Sequence, residues 1–145
     1  MIANSEPAFA DLEIRILKRE EAGYPVEITL DHDLHYERGF LTPMLPEEDG
    51  EHLFAWLFAD AALREAWEHV RGQHPQRRIR LRLDLDVPEL HALPWEALRD
   101  PESGLDLAAV DATPFSRYLA GIWQPGRPIA TRPIEILVAI ANPNN

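Results

Sequence analysis

The chain has no cysteine in its 145 residues. That excludes disulfides, cysteine-ligated metal sites and a thiolate nucleophile within these residues. Positive charge is scarce: 14 Lys and Arg stand against 25 Asp and Glu, a formal net charge of -11. Nucleic acid and anionic membranes both attract positive potential, so neither is an expected partner. A partner with a basic surface fits better. Glycine is sparse, and its 7 residues form no run. There is accordingly no phosphate-cradling loop and no Gly-x-Ser-x-Gly turn. No apolar run approaches the roughly 20 residues of a membrane span. Residues Met1 to Pro7 hold neither a basic region nor an apolar run, so no signal peptide is expected. Together with the missing cysteine, this points to a cytoplasmic, soluble, acidic protein.

Hydrophobic residues make up 46% of the chain, enough for one folded domain over residues 1–145. The most patterned stretch runs from Arg77 to Asp100. Ile79, Leu81, Leu83, Leu85 and Val87 alternate with Arg78, Arg80, Arg82, Asp84 and Asp86. A period of two over that length predicts a half-buried strand, Ile79–Val87, which Pro88 ends. Leu93-Pro94-Trp95-Glu96 follows. Pro94 can open a helical turn, and Trp95 is large enough to anchor a core.

The chain divides into four parts. Residues 1–45 read as an antiparallel β-meander: a frayed lead to Ala10, strands over Leu12–Leu17 and Val26–Leu30, a loop holding Gly23, a turn over Asp31–His35, and a third strand near Tyr36–Leu41. Residues 46–75 read as helices. Leu53, Phe54, Leu57 and Phe58 recur at helical spacing, Asp60 is placed as an N-cap, and Leu63, Ala66, Trp67 and Val70 line one face. Residues 76–123 hold the alternating strand, the Leu-Pro-Trp-Glu turn, a turn over Asp100–Gly104, a short strand through Leu105, Leu107 and Ala109, and a strand over Phe115–Leu119. Residues 124–145 hold a proline-rich linker and the apolar run Ile134–Ile140, which suits a strand buried on both faces of a sheet. The expected class is α+β or α/β: an N-terminal antiparallel meander, a helical segment, then a mixed sheet ending in a buried strand.

Pro88, Glu89, Leu90, Ala92, Leu93, Pro94, Trp95 and Glu96 resemble the signature of the CHAT domain, a caspase-like cysteine peptidase family. Gly50–Phe58 resembles that family's upstream helix. Pro114–Leu119, followed by Ile134–Ile140, resembles its entry into the caspase-like sheet. The resemblance spans roughly Gly50 to Pro143. It implies that this chain is the N-terminal portion of such a unit, in a bacterial parent acting in regulated proteolysis or defence. The family's catalytic histidine and cysteine follow the strand that Ile134–Ile140 resembles, so they do not fall in these residues. The implied partner is the catalytic half of the parent, or another protein chain, a second copy included.

Weighed individually, few residues look chemical. Arg78, Arg80 and Arg82 form the strongest basic feature and are a candidate partner surface. The plainer reading is a solvated sheet face paired with Glu13 or Glu27. Asp31, His32, Asp33 and His35 carry ligand atoms, but their spacing fits no metal motif, so they read as a polar turn. Glu96 is expected to accept backbone hydrogen bonds at its turn, and His91 to be a half-exposed turn residue. Ser103 and Ser116 lack a nucleophile setting. No catalytic residue, cofactor or metal is expected. Three functions remain: a non-catalytic scaffold, an interaction module taking a partner strand along Arg77–Val87 or Ile134–Ile140, and, weakest, a carboxylate-dependent hydrolase.

Overall fold

The computed structural model describes residues 8–120 and residue 138. The architecture is α+β: a mixed sheet with helices and turns packed on one face.

The first segment folds as its alternation dictates. Strands β1 (Ala10–Ile16) and β2 (Tyr24–Leu30) pair antiparallel, Leu12 opposite Leu30 and Ile16 opposite Val26. The strand begins earlier than expected, because Ala10 is already buried and donates its N–H to Gln76 O. The connecting loop turns at Gly23, whose φ of +127° and whose approach to Leu41 O leave no room for a Cβ. Asp31 and His32 both take positive φ in the next turn, the hand that matches strand twist. The third strand is broken into β3 (Leu34–His35) and β4 (Gly39–Leu41), both antiparallel to β2. From His35 to Gly39 the chain advances four residues while β2 advances three, from Thr29 to Val26, the signature of a bulge.

Helices α1 (Gly50–Leu57) and α2 (Ala61–Gln73) start at aspartate caps. Asp49 Oδ1 accepts from the N–H groups of Glu51 and His52, and Asp60 Oδ1 from those of Ala62 and Leu63. Leu53, Phe54, Leu57 and Phe58, with Leu63, Ala66, Trp67 and Val70, turn inward as their spacing predicts.

Strand β5 (Arg77–Asp84) then enters between β1 and β8 (Phe115–Ala120), parallel to both. The sheet order is β3-β2-β1-β5-β8, with β4 beside β3 on β2. The predicted strand Ile79–Val87 is therefore too long. It stops at Asp84; Leu85 is 58% exposed, and buried Val87 is the cap residue of helix α3 (Pro88–His91). Pro88 is the first residue of this helix, where a missing N–H costs nothing. The predicted strand through Leu105, Leu107 and Ala109 is shorter as well. β7 (Leu105–Asp106) pairs with β6 (Arg99–Asp100), and Leu107–Ala109 is a 3₁₀ turn whose Leu107 is buried. Leu107 donates to Leu98 O and thereby leaves the ladder. Of the predicted strand Ile134–Ile140, only Val138 is described; it is exposed and lies in no strand. The rest of that run, the linker before it and residues 1–7 fall outside the described residues.

Between β5 and β8 the Leu-Pro-Trp-Glu segment forms a 3₁₀ turn over Trp95–Ala97. Trp95 is fully buried, and its indole N–H donates to Leu90 O at 2.7 Å. Its ring lies 6.4 Å from that of Trp56, which in turn meets Tyr24 edge-on at 6.4 Å. Two substitutions test this joint. Trp95→Ala should destabilise by about 3–5 kcal/mol in denaturant melts, because the void sits where three elements meet. Gly50→Ala would place a Cβ 1.8 Å from Ala97 O. The helix-propensity gain of about 1 kcal/mol is smaller than the overpacking cost, about 1–3 kcal/mol or more against immobile backbone. A lower midpoint is expected, and an unchanged one would show that α1 does not press on this turn.

Candidate functional site

The sequence-predicted residues lie on opposite sides of the sheet. Arg78, Arg80 and Arg82 project from β5 onto the face that no described helix covers, because Ile79, Leu81 and Leu83 take the other. Parallel register sets β1 carboxylates beside them. Arg78 and Arg80 lie 4.0 and 3.5 Å from Asp11, and Arg82 lies 3.6 Å from Glu13. Arg15 continues the ladder toward Asp84 at 3.7 Å and Glu27 at 4.0 Å. The row thus meets alternating charge. Its partners are Asp11 and Glu13; the Glu27 pairing expected for it goes to Arg15 and Arg38 instead. Pairs this exposed are each worth roughly 0–1 kcal/mol. Both edges of β5 are occupied, so this strand cannot accept a partner strand.

Tyr118 ends the ladder. Its hydroxyl donates to Glu13 Oε2 at 2.5 Å, and Arg82 lies over its ring at 5.8 Å. Burial and then the Glu13 carboxylate push its phenol up to about 12, against the lowering effect of Arg82 and Arg80.

Leu93 and Trp95 lie in the core on the helix-covered face, whereas Glu96 is exposed. The expectation that Glu96 caps backbone groups is not met: it pairs with Arg117 Nε at 3.0 Å. The backbone carbonyls go to Arg117 too, whose Nη1 donates to His91 O at 3.1 Å and Leu93 O at 3.3 Å. His91 itself reaches Asp84 O through Nε2 at 2.9 Å. Arg117 thus pins the Leu-Pro-Trp-Glu turn to β8.

The polar turn Asp31–His35 gathers no metal geometry. Asp31 Oδ1 accepts from Asp11 N, His32 faces Asp11 at 3.8 Å, and His35 meets Thr29 Oγ1. Among the described residues the one tight set of ligand types is Glu47, Asp49 and His52, all exposed. Asp49 already spends its oxygens on two cap N–H groups and on His52 Nδ1 at 2.5 Å. That accounts for the lowered Asp49 pKa, chiefly through the His52 N–H, and for the raised His52 pKa, chiefly through Asp49. Ser103 works inside its turn, donating to Asp100 O, and Ser116 lies on the open face.

Sequence reasoning missed a concavity of about 530 Å³ between α1, α2 and the β6–β7 hairpin. Its floor is Phe54, Phe58 and Trp67, with ring centroids 4.8–5.6 Å apart. The Phe54 and Phe58 spacing was visible, but a helix pattern does not reveal that a hairpin far along the chain forms a wall beside these buried rings. Behind Trp67 lies Arg77, 4% exposed, its guanidinium 4.7 Å from the ring. Burial lowers its pKa while Asp100 opposes that shift.

No helix among the described residues is long and apolar enough to cross a membrane. Compared with known proteins, the chain matches no protein-family model, no curated protein and no solved structure.

The Tyr118–Glu13 pair is testable by pH. With a folded pKa above the unfolded value of about 10, its stabilisation is complete below pH 10 and is lost as pH rises through 12. Urea melts at pH 9 and 11.5 should therefore show a larger loss in the native chain than in Tyr118→Phe. Equal losses would mean the phenol titrates normally.

Proposed function

We propose that this chain is the non-catalytic N-terminal scaffold of a CHAT-like, caspase-related cysteine peptidase, its parent acting in bacterial regulated proteolysis or defence. One observation carries the reading. The three stretches that bear the resemblance interlock. Gly50 of the first abuts Ala97 O next to the second, and Trp56 of the first meets Trp95 of the second. Arg117 of the third bonds Leu93 O and Glu96 of the second. Segments matched one by one in sequence thus behave as one packed unit, which favours a shared origin over three coincidences.

The division of labour follows from composition. A cysteine peptidase needs a thiolate next to a base, and these residues contain no thiol. What they supply is a mixed sheet whose parallel strand β8 precedes the apolar run Ile134–Ile140 in sequence. The scaffold's role is to hold that edge for the catalytic half, so that its nucleophile and base are placed by a rigid neighbour.

The gene's whole product tests this. A cysteine-directed peptidase probe should label a residue beyond Asn145, with a His-Gly sequence between. Gly50→Ala and Trp95→Ala should each lower peptide turnover at least tenfold, about 1.4 kcal/mol. The 145-residue chain alone should cleave nothing in a broad peptide library. A whole product without a cysteine, or a catalytic half fully active after removal of residues 1–120, would overturn the proposal.

A further inference from the structure

The concavity beside α1 and α2 has a chemistry of its own, independent of the scaffold reading. Its floor is aromatic, and Ala55, Ala59 and Pro101 keep its walls low. Ala55 on the outer side of α1 and Ala59 just past its end are exposed and small, so that side of the space is bounded only at the rim, by Glu51 and His52. A volume of about 530 Å³ lies in the range of sites that enclose a small organic group or a large side chain.

One wall is charged and out of balance. Arg71 of α2 faces three carboxylates: Glu68, Glu102 at 2.6 Å and Asp100 at 3.5 Å. Asp100 is buried, with its Oδ1 taken by Glu102 N, whereas the Glu68 and Glu102 side chains are 50% and 67% exposed. Asp100 also acts on the buried Arg77, so the exposed Glu68 and Glu102 are left to Arg71, a local excess of one. Arg71 responds with a raised pKa, led by its bond to Glu102. Glu51 adds a fourth carboxylate at the opposite rim, 4.0 Å from Arg99, and Arg64 supplies the other cation of the lining. The group this wall lacks is a further cation, positioned within reach of an aromatic floor.

We propose that this groove binds a basic-apolar peptide segment of a partner protein, seating one large apolar side chain against Ala55, Ala59 and Pro101, over the buried rings of Phe54, Phe58 and Trp67, and an adjacent Lys or Arg on Glu68 and Glu102. Burying a large apolar side chain supplies the affinity. The carboxylate wall supplies the choice, because an acidic neighbour would meet like charge and an uncharged one would leave the excess uncompensated. The chain's own charge of -11 works the same way at longer range, steering basic partners toward it.

The test is selection from a random heptapeptide display library on the folded chain, followed by affinity measurement of the selected peptides. Enriched sequences should pair a large apolar residue with Lys or Arg one or two positions away. Glu68→Lys combined with Glu102→Lys should weaken these peptides at least tenfold, with circular dichroism unchanged. Ala55→Trp, which fills the groove from an exposed position, should weaken them as much. If that variant misfolds, chemical-shift mapping of the selected peptides on the native chain decides the location. No enrichment, enrichment without basic residues, or selected peptides indifferent to both variants would each overturn the proposal. So would a concentration-dependent dimer abolished by Ala55→Trp, because the occupant would then be a second copy. The scaffold reading survives every one of these outcomes, since it makes no use of the groove.

Discussion

The pairing of β5 parallel to β1, and of β8 parallel to β5, is the constraint from which the rest follows. Parallel neighbours cannot be joined by a tight turn; each needs a crossover that leaves the sheet and returns. The first crossover carries α1 and α2, the second α3, the Leu-Pro-Trp-Glu turn and the β6–β7 hairpin. Both return over the same apolar face, so Leu53, Trp67, Leu90, Trp95 and Leu107 share one core with Leu12, Ile14, Ile79 and Leu81. Trp95 lies where the two crossovers meet, which is why its indole contacts α1 and α3 alike.

With both crossovers on one face, the described residues leave the other open, and its side chains must suit water. Parallel register makes this systematic. Each open-face arginine of β5 gains a β1 carboxylate: Asp11 stands opposite Arg78 and also meets Arg80, and Glu13, opposite Arg80, meets Arg82 on the diagonal. The distances, 3.5–4.0 Å, are those of loose pairs. Their worth is in register more than in stability: a slip by one residue would set charges against the core and leucines against water. A row of arginines that reads as a binding surface in isolation is thus largely answered by its own sheet.

This explains what was legible in the sequence. Periodicity reports which side of an element is buried, so the strands β1, β2 and β5 and the two helix faces were visible in the sequence, as was the Asp60 cap; the Asp49 cap was not. Events with no periodic signature were not. Asp84 ends β5 although the leucine alternation runs on, because the chain must turn there for Val87 and Pro88 to start α3. Glu96 looked like a buried acceptor because its neighbour Trp95 is buried, yet a 3₁₀ turn sends adjacent side chains in different directions. Arg77 falls in phase with Ile79 and Leu81, on the core side, a place a sequence reader grants to apolar residues. It is tolerated at the sheet's end because Trp67 covers its plane and the carbonyls of His74 and Pro75 accept its N–H groups. The groove was invisible for a further reason: its residues come from α1, α2 and a hairpin far along the chain, and only packing brings them together.

That packing ties the groove to the same topological constraint. The β6–β7 hairpin exists because the second crossover has to travel back toward the start of β8. On the way it passes α1, against which β6 lies, and α2, whose Arg71 clasps Asp100 and Glu102. Asp100 serves both ends of this contact, accepting Glu102 N within the turn and facing Arg71 across it. Thr113, also buried, closes the returning segment by donating to Leu107 O at 2.7 Å. The excess carboxylate at the groove is therefore held by groups that the crossover needs in any case. A partner's cation placed there would add charge balance without new folding work, since the acidic wall and the aromatic floor are already in position when the chain folds.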